Sequence, residues 1–277
     1  MSIIDDIRST YRHGGTLIRL LLINVGVFAA YALLRVVLFL AGQHLGLTHW
    51  LAVPAHLGSL LLRPWTLLTY MFFHENLLHI LFNMLCLWWF GQIFMQNYSG
   101  KQLRGVYLLG GLSGAVLFVV AYNLLPAFNA HGAMALGASA SVMAVMLAAA
   151  ATQPNRSIGL LFIGMVPLKY VALGIVLIDV VSIPLSNAGG HIAHLGGAIY
   201  GLAFARLLAR GRDISCPLAA LRRRKQPSPP SQGYAAPRRS AQEQRIDQIL
   251  DKISRSGYDS LSPSEKAALF RNKGGSA

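Results

Sequence analysis

The sequence predicts an all-α polytopic membrane protein with six transmembrane helices. Its 277 residues are 54% hydrophobic and only 12% charged, with a mean hydropathy of +0.49. A soluble domain carries about 25% charged residues, roughly twice that fraction. Between residues 20 and 209 the acidic residues are Glu75 and Asp179 alone. A long apolar region that almost lacks acids is typical of a chain that crosses a membrane several times.

Long apolar stretches give the position of each helix. A helix of about 20 apolar residues crosses a hydrocarbon core of about 30 Å. We expect an uncleaved first span, since no small-residue cleavage site stands out there. Residues 157–168 are apolar but too short to cross, so they predict an interfacial segment before the fifth helix. The predicted spans are residues 18–41, 76–96, 103–125, 137–152, 169–186 and 191–209.

Basic residues give the orientation. They gather before the first span, between spans two and three, between spans four and five, and after the sixth span. Lys and Arg mark the cytoplasmic side, so both termini are predicted to be cytoplasmic, in a multi-pass protein of the cell membrane. This distribution favours contact with anionic lipid, not nucleic acid, as the reason for the net charge of +14. The marking residues are Arg8, Arg12, Arg19, Lys101, Arg104, Arg156, Lys169, Arg206, Arg210 and Arg212.

Two regions outside the spans have distinct compositions. Residues 42–73 form a long first loop whose aromatic residues Trp50, Trp65 and Tyr70 predict anchoring at the outer interface. After the bundle, assigned to residues 1–210, residues 211–240 are basic and rich in proline and predict a linker.

Residues 241–277 predict a small helical cytoplasmic tail. Apolar residues at i, i+3, i+4 and i+7 indicate one helix face. Gly257 is expected to end that helix, and a second helix is expected to finish near Arg271. Two short helices bury little surface, so a peripheral docking module is favoured over a second catalytic domain. The apolar face comprises Ile246, Ile249, Leu250 and Ile253, and the capping box of the second helix is Ser262-Pro263-Ser264-Glu265.

Four polar residues within the predicted spans are expected to lie at one depth. A helix rises about 1.5 Å per residue, which places Ser139, Asn83 and His194 roughly 20–24 Å above the cytoplasmic ends of their helices. His79 lies one turn above Asn83. An ionisable residue inside a membrane helix is a candidate functional residue by default. The sequence therefore predicts a polar site near the outer face, reached by water from that side.

The chemistry of these residues suits a serine nucleophile. His194 can act as the base for Ser139. The free N–H groups that begin the fourth helix, with His79 and Asn83, can donate to an oxyanion. We expect no carboxylate to be positioned to orient His194, because the only candidate, Asp179, lies on another helix and belongs to no motif. The sequence therefore predicts a Ser-His dyad.

Each polar residue also has a structural explanation. A lone membrane serine commonly bonds its own helix backbone, and a lone histidine or asparagine commonly bridges helices. Ser141 is interpreted as packing and His191 as a residue at the rim. His74, just before the second span, is interpreted as structural.

Glycines predict which helices approach closely. Gly197 and Gly201 form a GxxxG pattern just after His194, and Gly110 and Gly114 lie on the third span. Small residues let helix backbones come together in a membrane. We expect the first pair to bring the sixth helix against the fourth, and His194 toward Ser139.

In these residues the chain resembles the rhomboid family of intramembrane serine proteases. The likeness covers residues 17–209 and rests on three motifs in order. They are His79-Ile80-Leu81-Phe82-Asn83, Gly137-Ala138-Ser139-Ala140 and Ala193-His194-Leu195-Gly196-Gly197. Ala140 departs from the pattern, because many members have glycine there. The tail resembles, with less specificity, C-terminal extensions of some bacterial members.

The resemblance implies a six-helix rhomboid-like bundle that works as a serine-type endopeptidase. Ser139 would be the nucleophile and His194 the base, and His79, Asn83 and the Ser139 amide would bind the oxyanion. The substrates would be transmembrane or juxtamembrane segments of other membrane proteins, and no metal or cofactor is implied. The alternative is a catalytically silent rhomboid-like factor that binds membrane proteins. A small-solute transporter is disfavoured because the sequence has no repeated halves.

Overall fold

A computed structural model of the chain describes residues 3–43, 46–160, 163–216 and 241–271. The chain divides into two compact units, residues 1–221 and 222–277. The helices of the first unit are α1 (Ile3–His13), α2 (Thr16–Leu40), α3 (Leu47–Leu51), α4 (Leu57–Leu62), α5 (Thr66–Thr69), α6 (Leu77–Met95), α7 (Gly100–Leu124), α8 (Ser139–Thr152), α9 (Leu168–Ser182) and α10 (Ala188–Ala209). Those of the second unit are α11 (Ala241–Ser256) and α12 (Pro263–Arg271).

The predicted helical, polytopic membrane fold is confirmed. Helices α2, α6, α7, α8, α9 and α10 fall where the six spans are predicted. Among the described helices, α2, α6, α7 and α10 are long and apolar enough to cross a membrane alone. Helix α8 has 14 residues and α9 has 15. At about 1.5 Å per residue these two are shorter than a hydrocarbon core of about 30 Å.

Polar side chains cap the helices where the sequence supplies them. Asn76 accepts the backbone N–H of His79 at 2.8 Å and so starts α6. Ser99 and Gln102 form a capping box that starts α7. Asn187, in the left-handed region at φ 47°, caps α10 through the N–H of Gly190. These caps satisfy N–H groups that a helix start leaves unpaired.

The first loop packs against the segment that leads into α8. Strand β1 (Val53–Pro54) pairs antiparallel with β2 (Met134–Ala135). Trp50 and Trp65 stack with ring centroids 6.4 Å apart and remain about half exposed, as expected of interface anchors. Tyr70 was wrongly assigned to this role. It is 2% exposed, and its hydroxyl donates to the carbonyl of Gly111 on α7.

The short apolar segment before α9 forms a hairpin. Strand β3 (Ser157–Leu160) pairs antiparallel with β4 (Gly164–Pro167), and residues 161–162 between them lie outside the described residues. Ile163 and Met165 expose about 70% of their surface, so the hairpin presents apolar side chains outward. Such a surface suits the interfacial position predicted for this segment.

Helix α8 occupies the centre of the first unit and packs closely against α7 and α10. Residues 140–150 are all buried. A Cβ added to Gly197 would lie 2.0 Å from the carbonyl oxygen of Ala140, and one added to Gly201 would lie 2.2 Å from that of Ala144. On α7, a Cβ on Gly110 would lie 2.2 Å from the methyl group of Ala144. The predicted approach of the sixth span to the fourth is therefore confirmed.

The bundle extends past the predicted boundary at residue 210. Asp213 accepts a hydrogen bond from Gln102 Nε2 at 3.0 Å, and Ser215 is 5% exposed against Gly105 of α7. Asp213 and Ser215 thus contact α7, although the sequence assigned them to the linker. The remainder of that linker, residues 217–240, lies outside the described residues.

The second unit matches the helices predicted for the tail. Gly257, at φ +75°, follows α11. Ser262 and Glu265 exchange the two hydrogen bonds of a capping box at the start of α12. Hydrogen bonds lower the pKa of Glu265 to about 2, the largest effect coming from the backbone N–H of Ser262 and the next from the Lys252 side chain. This carboxylate is therefore ionised at neutral pH. Ile249 is buried at 3% exposure while Leu250 is 50% exposed, so part of the predicted apolar face lies open.

Candidate active site

The predicted nucleophile is the first residue of α8. Ser139 begins the helix, and among the described residues no side chain caps its N-terminus. The first N–H groups of a helix have no partner in its own ladder. They are therefore available, beside the Ser139 hydroxyl, to donate to a negatively charged oxygen.

The turn before Ser139 is held by two residues of the segment that precedes α6. Gly137 adopts φ +112°, a region that favours glycine, and its N–H donates to the Tyr70 carbonyl at 2.9 Å. His74 is fully buried, and its Nε2 accepts the N–H of Ala138 at 3.2 Å. His74 thus has the structural contact expected of it, and Gly137 explains why the serine motif contains a glycine.

His79 and Asn83 lie one helical turn apart on α6. The His79 imidazole fills the space beside Gly137, where a Cβ would lie 2.6 Å from its Cε1. It also meets His74 edge-on, with ring centroids 5.0 Å apart. Asn83 is 7% exposed, and its Nδ2 donates to the His79 carbonyl at 2.9 Å. One N–H of that amide is thus engaged, and the second remains to face a ligand.

The structure places a carboxylate beside His194. Asp179 Oδ1 lies 2.9 Å from His194 Nδ1 and 2.7 Å from His191 Nδ1. The expectation that no carboxylate is positioned to orient His194, from which a dyad was inferred, is therefore wrong. The signal was present in the sequence, because a lone acid in a membrane helix is itself unusual. Which side chain Asp179 contacts depends on how α9 packs against α10, and the sequence motifs do not predict that packing.

One cavity brings the four predicted site residues together. It measures about 450 Å³ and is bordered by α6, α8, α9 and α10. Ser139 and His194 both line it, although no hydrogen bond joins them among the described residues. In enzymes without bound substrate, the distance between nucleophile and base often exceeds that of a hydrogen bond. Its polar lining includes His79, Asn83, Ser139, Asp179 and His194, and its apolar lining includes Phe82, Val142, Met143, Met146 and Ile175.

Ala140 and Ser141 face away from this cavity. A Cβ on Gly114 of α7 would lie 2.6 Å from the Ala140 methyl group, so that methyl points into the α7 contact. Ser141 is fully buried, and its hydroxyl would lie 2.5 Å from a Cβ on Gly111. The departure at Ala140 therefore leaves the cavity unobstructed, and Ser141 occupies the packing position expected of it.

Asp179, His191 and His194 are also spaced closely enough to hold a cation. Their nearest ligand atoms lie within 4.8 Å of one another. Two histidines and a carboxylate are a donor set that Zn²⁺ accepts. The contacts of 2.7 and 2.9 Å are hydrogen-bond distances, and they account for the arrangement without an ion.

Fold and site together define a helical membrane protein with a serine, histidines and an asparagine around one cavity. The Rhomboid domain model matches residues 61–211, more than half of the chain. The chain belongs to the rhomboid family, which includes serine intramembrane proteases. Residues 234–272 match a second family, described as a family of unknown function (DUF6576).

Three curated relatives are mitochondrial proteins. RHOMBOID-like protein 12 of Arabidopsis thaliana is 33% identical over 156 residues, which cover 51% of this chain and 46% of the relative. Presenilin-associated rhomboid-like protein A of Danio rerio is 28% identical over 134 residues, covering 47% and 34%. The corresponding protein of Bos taurus is 29% identical over 139 residues, with the same coverage. The chain thus spans less than half the length of these relatives.

Proposed function

We propose that this protein is an intramembrane serine endopeptidase that cleaves transmembrane or juxtamembrane segments of other membrane proteins. The observation that carries the proposal is the shared cavity, where Ser139, at an uncapped helix start, lies with His194, His79 and Asn83. Membership of the rhomboid family supports it. A packing role for each residue separately would not require all four to line one space.

In the proposed reaction, His194 removes the proton of the Ser139 hydroxyl as Oγ attacks the scissile carbonyl carbon. The N–H groups at the start of α8, with His79 and Asn83, donate to the oxyanion. The C–N bond breaks, and the proton passes from His194 to the leaving amine. Water then attacks the acyl-enzyme, with His194 again as the base, and Ser139 regains its proton.

The position of the cavity supports cleavage near one membrane face. Ser139 is the first residue of α8, His79 the third of α6 and His194 the seventh of α10. At about 1.5 Å per residue, these lie within about 10 Å of the helix starts. We propose, from the basic residues that mark the cytoplasmic side, that both termini lie in the cytoplasm of a cell-membrane protein, and in that topology this end is extracytoplasmic. A substrate helix must unwind to reach Ser139, so small or helix-breaking residues near the scissile bond should promote cleavage.

The test is coexpression with a panel of single-span membrane proteins. The native chain is compared with Ser139→Ala and with the matched variant Ser141→Ala, whose hydroxyl lies outside the cavity. We expect cleavage by the native chain and by Ser141→Ala and none by Ser139→Ala, with substrate cut near its extracytoplasmic end. A fluorophosphonate should label Ser139 in parallel. Equal cleavage by all three chains would exclude Ser139 as the nucleophile, and binding without cleavage or labelling would favour the silent binding factor.

A further inference from the structure

Two histidines of α10 share one buried carboxylate of α9. Asp179 is 4% exposed, and its Oδ1 lies 2.7 Å from His191 Nδ1 and 2.9 Å from His194 Nδ1. The histidines are three residues apart and so project from the same side of α10. Their rings meet nearly at right angles, with centroids 5.9 Å apart.

Hydrogen-bond accounting favours one arrangement of the protons in this cluster. Asp179 Oδ2 is buried without a partner among the described residues. A proton on that oxygen would be a buried donor with no acceptor, so the pattern fits an ionised carboxylate that only accepts. Both Nδ1 atoms must then carry hydrogen and donate to Oδ1. Nε2 of His194 is thereby left as the lone-pair nitrogen, which is the one a base needs.

The free-energy cost of burying the Asp179 carboxylate indicates that this residue does more than pack α9 against α10. An ionised group inside a membrane helix is expensive unless it is paired. Helix α9 otherwise buries just Leu168 and Ala172 among its described side chains. A neutral amide could bridge two helices at lower cost. A negative charge, in addition, stabilises the imidazolium that forms when His194 takes a proton.

We propose that Asp179 is the positioning residue for His194. Its carboxylate holds the imidazole in the Nδ1–H tautomer with Nε2 available to Ser139, and His191 fixes the carboxylate by donating the second hydrogen bond. The inference rests on the proposed function and replaces the dyad by a triad in which Asp179 orients His194 and His194 acts on Ser139. His191 acts through Asp179 alone and touches no reacting atom.

The first test is kinetic. Full-length protein, one purified single-span substrate and the same detergent are used throughout, with EDTA present so that no bound cation contributes. Asp179→Asn keeps the shape of the side chain and removes its charge, and Asp213→Asn is the matched exchange at a carboxylate outside the cavity. We expect Asp179→Asn to lower kcat at least 10²-fold with KM changed less than about threefold, since an orienting carboxylate acts in the transition state.

Two companion measurements separate positioning from folding. The rate of Ser139 labelling by a fluorophosphonate should fall in parallel with kcat, while thermal unfolding in detergent changes little. His191→Asn should reduce kcat less than tenfold, because His194 and Asp179 keep their own contact. Asp213→Asn should match the native chain in kcat and labelling rate. A kcat for Asp179→Asn within threefold of the native value would overturn the proposal and leave Asp179 as a helix bridge.

The second test needs no folded variant at position 179. ¹⁵N NMR of histidine-labelled native protein reports which imidazole nitrogen carries hydrogen, with the His194 signal assigned by its absence from His194→Gln. We expect protonated Nδ1 and unprotonated Nε2 in neutral His194. The opposite tautomer would overturn the proposal even if Asp179→Asn fails to fold. If the native chain neither cleaves substrate nor labels at Ser139, the proposed function fails, whereas the tautomer still tests the Asp179 contact.

Discussion

The face of α8 that meets α7 and α10 differs from the face that borders the cavity. On the first, Gly197 and Gly201 bring backbone carbonyls of α8 so close that a methyl group would not fit. On the second, larger side chains such as Met143 and Met146 surround a space of about 450 Å³. Lipid tails are as apolar as side chains, so close backbone packing is what holds membrane helices together. The tight face fixes Ser139 relative to His194, and the other face leaves the cavity that the proposed function assigns to a substrate.

Removing the proposed base should have the largest effect. We expect His194→Ala to lower the rate of substrate cleavage at least about 10⁴-fold, and the double variant with Ser139→Ala to lose little more, because the two groups act as one unit. His56→Ala, in the first loop, serves as the matched histidine control. A rate for His194→Ala within tenfold of the native rate would mean that another group is the base.

Removing an oxyanion donor that lies across the cavity from α8 should have the next largest effect. We expect His79→Ala and Asn83→Ala each to lower kcat about 10²–10³-fold, because the N–H groups of α8 remain as donors. Gln92→Ala is the matched control, because Gln92 is an exposed amide nearer the C-terminal end of α6. Full activity in both site variants would favour their structural roles, which for Asn83 is the hydrogen bond to the His79 carbonyl.

A methyl group added where α10 meets α8 tests whether the close glycine contact stabilises the bundle. A Cβ at Gly197 would lie 2.0 Å from the Ala140 carbonyl oxygen, whereas one at Gly174 of α9 would meet nothing within 4 Å. We expect Gly197→Ala to cost about 2 kcal/mol of unfolding free energy through overpacking, and Gly174→Ala to cost less than about 0.5 kcal/mol. Unfolding in mixed micelles measures both. Equal stabilities would show that glycine packing does not hold the two helices together.

The smallest effect on chemistry is expected from the tail, which belongs to neither face. Removing residues 226–277 should leave turnover of a purified substrate within tenfold, about 1.4 kcal/mol in barrier. Removing residues 213–277 should in addition lower the stability of the bundle, because this truncation deletes Asp213 and Ser215, which pack against α7. Detergent assays of both truncations against the full chain provide the comparison. A larger loss of turnover in a folded 1–225 chain would assign the tail a part in catalysis.

The sequence by itself predicted the helical membrane fold, its six apolar helices and the positions of Ser139, His79, Asn83 and His194 along those helices. These follow from local quantities, the length of an apolar stretch and the rise per residue of a helix. The start of α8 within two residues of its predicted position and the capping box at Ser262 have the same origin, since a helix end depends on a few adjacent residues.

The tertiary structure decided the contacts between distant side chains that no sequence motif predicted. Asp179 contacts His194, Tyr70 is buried against α7, and β1 pairs with β2 from a distant part of the chain. The depth of a residue gives its position along the membrane normal, but it does not determine which residues of other helices lie beside it in the membrane plane. Those neighbours are set by how closely all the backbones pack at their glycines, and this depends on every helix of the bundle at once.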